Sequence, residues 1–228
     1  MPVNCNVEII CNTEKETNRL AELHKIIEHY KVIPSYTVYG EETLSHKYFS
    51  KYRQKLNMSA ISLAINHVSL LEKYKDSDKP LLIFESDALC LHDFDTIDSE
   101  INNVMDLMKK HSIDYVFLGL GCFDDPSGEL RLRSAVHITE RLYKIGRSRC
   151  TEAYLVSPNG IRRYLDYFYS IEKNHTAIDA DYNIFFDTNP DVIACWLIPE
   201  LFKQGSRSIY GSLVPVESDT SIYNHLHL

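Results

Sequence analysis

Pro80-Leu81-Leu82-Ile83-Phe84-Glu85-Ser86-Asp87 is the stretch on which the fold turns. A turn-forming proline, an unbroken apolar run and then two carboxylates two positions apart describe a strand buried on both faces that ends in polar chemistry. Such strands belong to sheets covered by helices on both sides. Upstream, Ser59–Tyr74 carries Ile61, Ala64, Ile65, Val68 and Leu71 along one helical stripe, and Lys75–Lys79 breaks it. Downstream, Ser99–Lys110 reads as another helix and Asp114–Leu120 as a further buried strand. The alternation of strand and helix predicts an α/β fold with a mostly parallel central sheet flanked by helices.

The same pattern extends to both ends. Val7–Cys11 is a short apolar strand, and Thr13 with Glu16 forms a capping-box pattern ahead of a helix repeating Leu20, Leu23, Ile26, Ile27 and Tyr30. Ser35–Tyr39, bounded by Pro34 and Gly40, reads as a second strand, so the chain opens β-α-β. Ser45–Lys55 interleaves Lys47, Lys51, Arg53 and Lys55 with Tyr48, Phe49 and Tyr52, as a polar loop or short helix. Asp124–Gly128 is a turn cluster, and Leu130–Ile145 alternates raggedly as short irregular strands. Ala153–Val156 is apolar; Ser157-Pro158 then supplies an N-cap and a first-turn proline for a helix through Tyr169. Val192–Ile198 is a last strand, and the polar tail from Leu201 reads as a loop. No repeat or linker divides residues 1–228, which are expected to form one domain.

Composition bounds the function. Hydrophobic residues make up 44% and charged residues 25% of the 228, a globular balance. A net charge of −8 argues against a nucleic-acid partner, since phosphate backbones select basic surfaces. No run approaches the roughly 18 apolar residues of a membrane span, and the N-terminus lacks a signal-peptide core. A cytoplasmic location with no transmembrane segment is expected. Cys5, Cys11, Cys90, Cys122, Cys150 and Cys195 are scattered without a C-x-x-C pair, and they read as reduced thiols.

In open α/β sheets, ligands bind beyond the carboxyl ends of strands. Glu85 and Asp87 occupy that place, where carboxylate oxygens suit the hard cations Mn²⁺ and Mg²⁺. The spacing alone serves equally well as an ordinary turn cap. The run Ile83–Leu89 with Asp93-Phe94, however, resembles the acidic metal-binding motif of glycosyltransferase family 25, the lipooligosaccharide and collagen galactosyltransferase-like proteins. Ser62–His67 sits where that family has a Cys-Ala-Leu-Ser-His helix. Asp114–Gly119 is similar to its next strand, and Thr151–Ser157 with Gly160 resembles its Thr-x-Ala-Tyr-x-x-Ser-x-x-Gly segment. The opening strand with Asn12 and Arg19-Leu20 matches the family's start, and the likeness runs in order from residue 7 to about 206. Ser86 replaces the motif's middle Asp, and Asn66 replaces the Ser before His67.

The resemblance implies a GT-A-like nucleotide-sugar-binding fold and a metal-dependent glycosyltransferase, inverting in outcome. A nucleotide-diphosphate sugar (a UDP-sugar first) would be donor, a glycan or a lipid- or protein-linked hydroxyl the acceptor, and Mn²⁺ or Mg²⁺ the cofactor. It places the metal on Asp87 and Glu85, with Glu85 alternatively on the donor ribose or supporting Asp87. Asn12, Thr13, Arg19, His67, Ser86, Gln204 and Ser206 fall on the donor side, with Arg207 beside them. Thr13 also reads as a cap, Arg19 as a solvated helix residue, and His67 as a hydrogen-bonded core histidine. Asp179 and Asp181 are the candidate bases, or else helix-start carboxylates serving the macrodipole. A non-catalytic sugar-nucleotide or glycan-binding module is the alternative, favoured by Ser86 and Asn66; a metal-dependent phosphohydrolase ranks third.

Overall fold

The computed structural model describes residues 2–52, 56–120, 136–144, 150–174 and 176–205. Within them lie strands β1 (Asn6–Ile10), β2 (Leu81–Glu85), β3 (Ala88–Cys90), β4 (Tyr115–Phe117), β5 (Val136–His137), β6 (Leu142–Lys144), β7 (Ala153–Val156), β8 (Ala194–Leu197) and β9 (Phe202–Gln204). The helices are α1 (Leu20–Tyr30), α2 (Met58–Lys73), α3 (Phe94–His111), α4 (Pro158–Ser170) and α5 (Ile178–Thr188).

The main sheet runs β1-β2-β7-β4-β8-β6-β5. β1 and β2 are parallel, as are β4 and β8, while β7 and β6 run against their neighbours. Five of the seven strands therefore point one way, and the sheet is mostly parallel in direction. Alternation along β2 divides the core. Leu81 and Ile83 face a layer built by α2, α4 and α5, and Leu82 and Phe84 face the layer of α1 and α3. Each layer is apolar along one helical stripe: Ile61, Ala64, Ile65, Val68 and Leu71 on α2, and Ile97, Ile101, Val104 and Met108 on α3.

Helix starts follow their caps. Asn57 accepts from the Ala60 amide, Asp93 from Thr96, and Ser157 from Gly160 with Pro158 in the first turn. Asp93 thus begins α3 at Phe94, ahead of the start around Ser99 expected from the sequence.

Three expectations are corrected. The Thr13–Glu16 capping box does not form: Asn12 Oδ1 accepts from the amides of Glu14 and Lys15, while Glu16 reaches back to the Asn12 amide. Asn12 is buried at the strand end, where its carboxamide oxygen reaches the amides two and three residues on in an Asx turn, whereas Thr13 is exposed. Ser35–Tyr39 contributes one bridge, Ser35 to Ile10, instead of a strand. The amides of Thr37 and Val38 go to Asn66 Oδ1 and the Val38 carbonyl to Asn66 and Ser62 side chains, so α2 takes the backbone bonds a ladder would need. Phe202–Gln204, expected as loop, is β9, paired antiparallel with β3.

The basic-aromatic stretch follows a 3₁₀ turn at Gly40–Ser45 and holds another at Phe49–Lys51, while Arg53 and Lys55 lie outside the described residues. The expected turn cluster Asp124–Gly128 also lies outside them; of Leu130–Ile145, the two short strands β5 and β6 are described. Cys11, Cys150 and Cys195 are buried free thiols; burial pushes Cys11 and Cys195 up to about 12, which makes them inert apolar fillers. No described helix is long and apolar enough to cross a membrane.

Candidate functional site at the carboxyl edge of the sheet

Buried polar side chains concentrate where β1, β2 and β4 end and antiparallel β7 begins: Asn12, Glu16, Arg19, His67, Ser86, Asp87, Thr151 and Glu152 are all buried. An apolar core tolerates such a concentration only when the groups satisfy one another.

Glu85, on the α2 side, receives the His67 ring through Nε2 (3.1 Å) and the Thr151 hydroxyl, both at Oε1. Burial pushes its carboxyl up, but the His67 hydrogen bond and charge, the Thr151 bond and the nearby Arg19 charge outweigh this, and the net shift is downward. Glu85 is therefore an anion at neutral pH. Behind it, His67 is 0% exposed, and its Nδ1 lies 2.9 Å from the Tyr154 hydroxyl, which is 3.0 Å from that of Tyr182 on α5.

Ser86 points the other way, toward α1. Arg19 Nη1 donates to its Oγ at 2.7 Å, Ser86 donates to Glu16 Oε2, and Arg19 and Glu16 are ion-paired at 3.4 Å. Glu16 Oε1 holds the Asn12 amide at 3.0 Å, so β1, α1 and β2 are joined through one carboxylate. Asp87, 2% exposed, lies in the turn from β2 into β3. Its carbonyl accepts from the Gly205 amide at 2.7 Å, and Ala88 pairs with Gln204. Gln204, which accepts from the Cys150 thiol at 3.3 Å, is thereby brought beside the acidic turn.

Of the expected donor-side residues, Asn12, Arg19 and Ser86 form one connected group and Glu85 and His67 another, on opposite faces of the same strand end. Thr13 is exposed, and Ser206 and Arg207 lie outside the described residues. Asp179 is half-buried at the start of α5, accepting from the Ala180 amide at 2.8 Å. Asp181 is 1% exposed and accepts from Tyr164 at 2.5 Å and Tyr167 at 3.0 Å.

Two residues of the edge escaped sequence reading. Glu16 read only as half of a cap. Glu152, 1% exposed, stood at an unspecified position of a motif. A Cβ on Gly119 would meet Glu152 Oε1 at 2.2 Å and the Phe202 carbonyl at 2.9 Å, so the glycine makes room for this carboxylate. A charge immediately before a fully apolar strand was the available signal. Among the described residues no three His, Cys, Asp or Glu side chains are grouped to hold a metal ion by themselves.

Fold and edge together define an α/β protein with a polar, partly anionic cluster at the carboxyl ends of its central strands. Neither a protein-family model nor a curated protein matches the chain. Among solved structures it is similar to a UDP-glucose pyrophosphorylase complexed with UDP-glucose, at 12% identity and TM-score 0.41 over 97% of this chain and 82% of that one. It is also similar to an apo UDP-glucose pyrophosphorylase, at 14% identity and TM-score 0.40 over 88% and 74%. Likenesses this loose carry neither a substrate nor an activity across.

Proposed function

We propose that the chain is a metal-assisted glycosyltransferase of GT-A type, acting on a nucleotide-diphosphate sugar. The observation that carries the reading is the acidic turn Glu85-Ser86-Asp87 at the end of a central buried strand, with Arg19 bonded to its middle residue. A hard divalent cation commonly takes one or two protein carboxylates and completes its shell with phosphate oxygens and water. The residues fit that minimum: Asp87 would hold the ion, and Glu85, tied by His67 and Thr151, supports the turn. When bound, Mn²⁺ or Mg²⁺ supplies charge neutralisation for a departing diphosphate.

The chain's own groups divide the remaining work. Arg19, whose charge is shared with Glu16, lies with Asn12 and Ser86 at the end of β1, where a nucleotide would meet this polar group. In an inverting transfer an acceptor hydroxyl attacks the anomeric carbon, the bond to the diphosphate oxygen breaks, and the hydroxyl proton passes to a carboxylate. Asp179 suits that base, being only half-buried, whereas Asp181 has both oxygens occupied by tyrosines. The acceptor is a glycan or another hydroxyl-bearing molecule.

One observation favours the second reading, a non-catalytic sugar-nucleotide binder: Ser86 is spent on internal bonds to Glu16 and Arg19. A thermal-shift panel of UDP- and GDP-sugars with Mn²⁺, followed by an assay for released nucleotide, separates the readings. We expect a shift with at least one donor, slow nucleotide release, and a loss in turnover on the order of a hundredfold for Asp87→Ala. A shift without release selects the binder; no shift across the panel removes both readings.

A further inference from the structure

Asn66 departs from the resembled motif, and its bonds show what the asparagine holds. Its Oδ1 accepts from the amides of Thr37 and Val38, and its Nδ2 donates to the Val38 carbonyl at 2.9 Å, which Ser62 Oγ also meets at 2.7 Å. A serine hydroxyl carries donor and acceptor on one atom close to the helix backbone; the carboxamide spreads them over two atoms farther out. Two residues before Thr37, the Ser35 amide donates to the Ile9 carbonyl and the Ser35 carbonyl accepts from the Cys11 amide. The segment is thus pinned to the end of β1 on one side and to α2 on the other. Two tyrosines ride on it. Tyr36 is exposed and Tyr39 half-buried, with ring centroids 6.3 Å apart and planes inclined at 71°, an edge-to-face pair.

Neighbours put this pair beside the candidate site. Cys11, bonded to Ser35, directly precedes Asn12. Burial, and after it the Glu16 carboxylate, pushes the Tyr39 phenol above its ordinary value while Arg19 pulls it down, so the hydroxyl lies within electrostatic reach of the group formed by Asn12, Glu16, Arg19 and Ser86. We propose that Tyr36 and Tyr39 form an aromatic rim, held in place by Asn66, against which the planar base of a nucleotide packs. The inference rests on nucleotide binding, which both readings proposed above share. Every base presents a flat π-face, and tyrosine offers a large ring with few rotatable bonds. A backbone already fixed at Ser35, Thr37 and Val38 loses little further freedom when a ligand arrives. Asn66 is a positioning residue here, since it touches the segment's backbone and not the ligand. The base is uncharged, so its contact with the rim does not depend on the metal; the diphosphate belongs to the acidic turn.

Calorimetry on the whole chain with Mg²⁺ tests this with UDP, GDP and inorganic pyrophosphate, which has the diphosphate without the base. Tyr36→Ala and Tyr39→Ala should weaken the nucleotide that wild type binds by about tenfold or more and leave pyrophosphate within about twofold, while Tyr39→Phe stays within about threefold of wild type. Asn66→Ser should follow the alanine variants, losing nucleotide and keeping pyrophosphate. A variant that merely unfolded would lose both, and the tyrosine variants then decide. Unchanged nucleotide affinity in both alanine variants, or equal losses of nucleotide and pyrophosphate in them, overturns the inference and leaves the proposed function standing. Wild type that binds pyrophosphate but neither nucleotide overturns it as well. Wild type that binds none of the three removes the proposed function and the rim together.

Discussion

Burial raises the carboxyl pKa of Asp181 above its ordinary 3.8, and the hydrogen bonds from Tyr164, Tyr167 and Asn174 offset this only in part. The folded state therefore holds that proton more tightly than the unfolded chain does. The stability it contributes is fully present below the unfolded pKa and is lost as pH rises through the folded one. Glu85 has the opposite sign: its folded pKa is depressed, so its contribution is present above the ordinary 4.5 and is lost as pH falls. Urea unfolding across the acid range should show both slopes. In Asp181→Asn the decline on the alkaline side of the carboxylate range should flatten while the acid limb stays. An unchanged alkaline limb would mean that Asp181 does not titrate as its burial requires. Thr13 offers the contrasting case of a polar residue with little at stake: it is exposed, and Thr13→Ala should change stability by less than about 0.5 kcal/mol.

Elements start and stop where short side chains take orphan backbone groups, and Asn12 does this at the turn between β1 and α1. Removing its acceptor in Asn12→Ala should cost about 1–2 kcal/mol, read from the urea midpoint at constant m-value. α4 is positioned differently. A Cβ on Gly160 would lie 2.8 Å from the Asp114 carbonyl and 3.0 Å from the Tyr115 ring, while Tyr115 donates to the Gly160 carbonyl. Gly160→Ala should therefore cost about 1–3 kcal/mol by pushing the helix off the sheet, and normal stability would show that the helix can slide freely. β2, α2 and α4 were legible in the sequence because their own periodicity and caps report their burial. β9 was not, since its partner β3 lies more than a hundred residues earlier and its text is polar. Ser35–Tyr39 misread for a related reason: Asn66, far along the chain, captures its backbone. At the site, the position of the acidic turn was readable from the end of an apolar run. The union of Glu16 with Ser86 was not, because nothing local in either residue encodes a contact across seventy positions.

The order of the main sheet sets how the whole molecule opens. β2 is hydrogen-bonded on both sides, by β1 and β7, and β7 by β2 and β4; their residues from Leu81 to Phe84 and from Ala153 to Val156 are buried from both layers. Exposing them to water means separating both hydrophobic layers at once, so their amides should exchange with deuterium only through global unfolding. Among the described residues β5 lies at the far edge, paired with β6 and exposed at both residues, so of these strands its amides should exchange first. The carboxyl edge lies between these limits. Asp87 is held across to Gly205 by one backbone bond, and that bond with the β3–β9 ladder ties the acidic turn to the last described strand. A nucleotide with Mn²⁺ seated on Asp87 would stabilise the closed arrangement of that turn in proportion to its binding free energy. Exchange at the Gly205 amide should then slow on adding UDP and Mn²⁺, while the global-unfolding amides of β2 slow only as far as overall stability rises. Slowing at β2 without slowing at Gly205 would place the ligand elsewhere on the molecule, because a group seated at the turn is released by openings of that turn as well as by global unfolding.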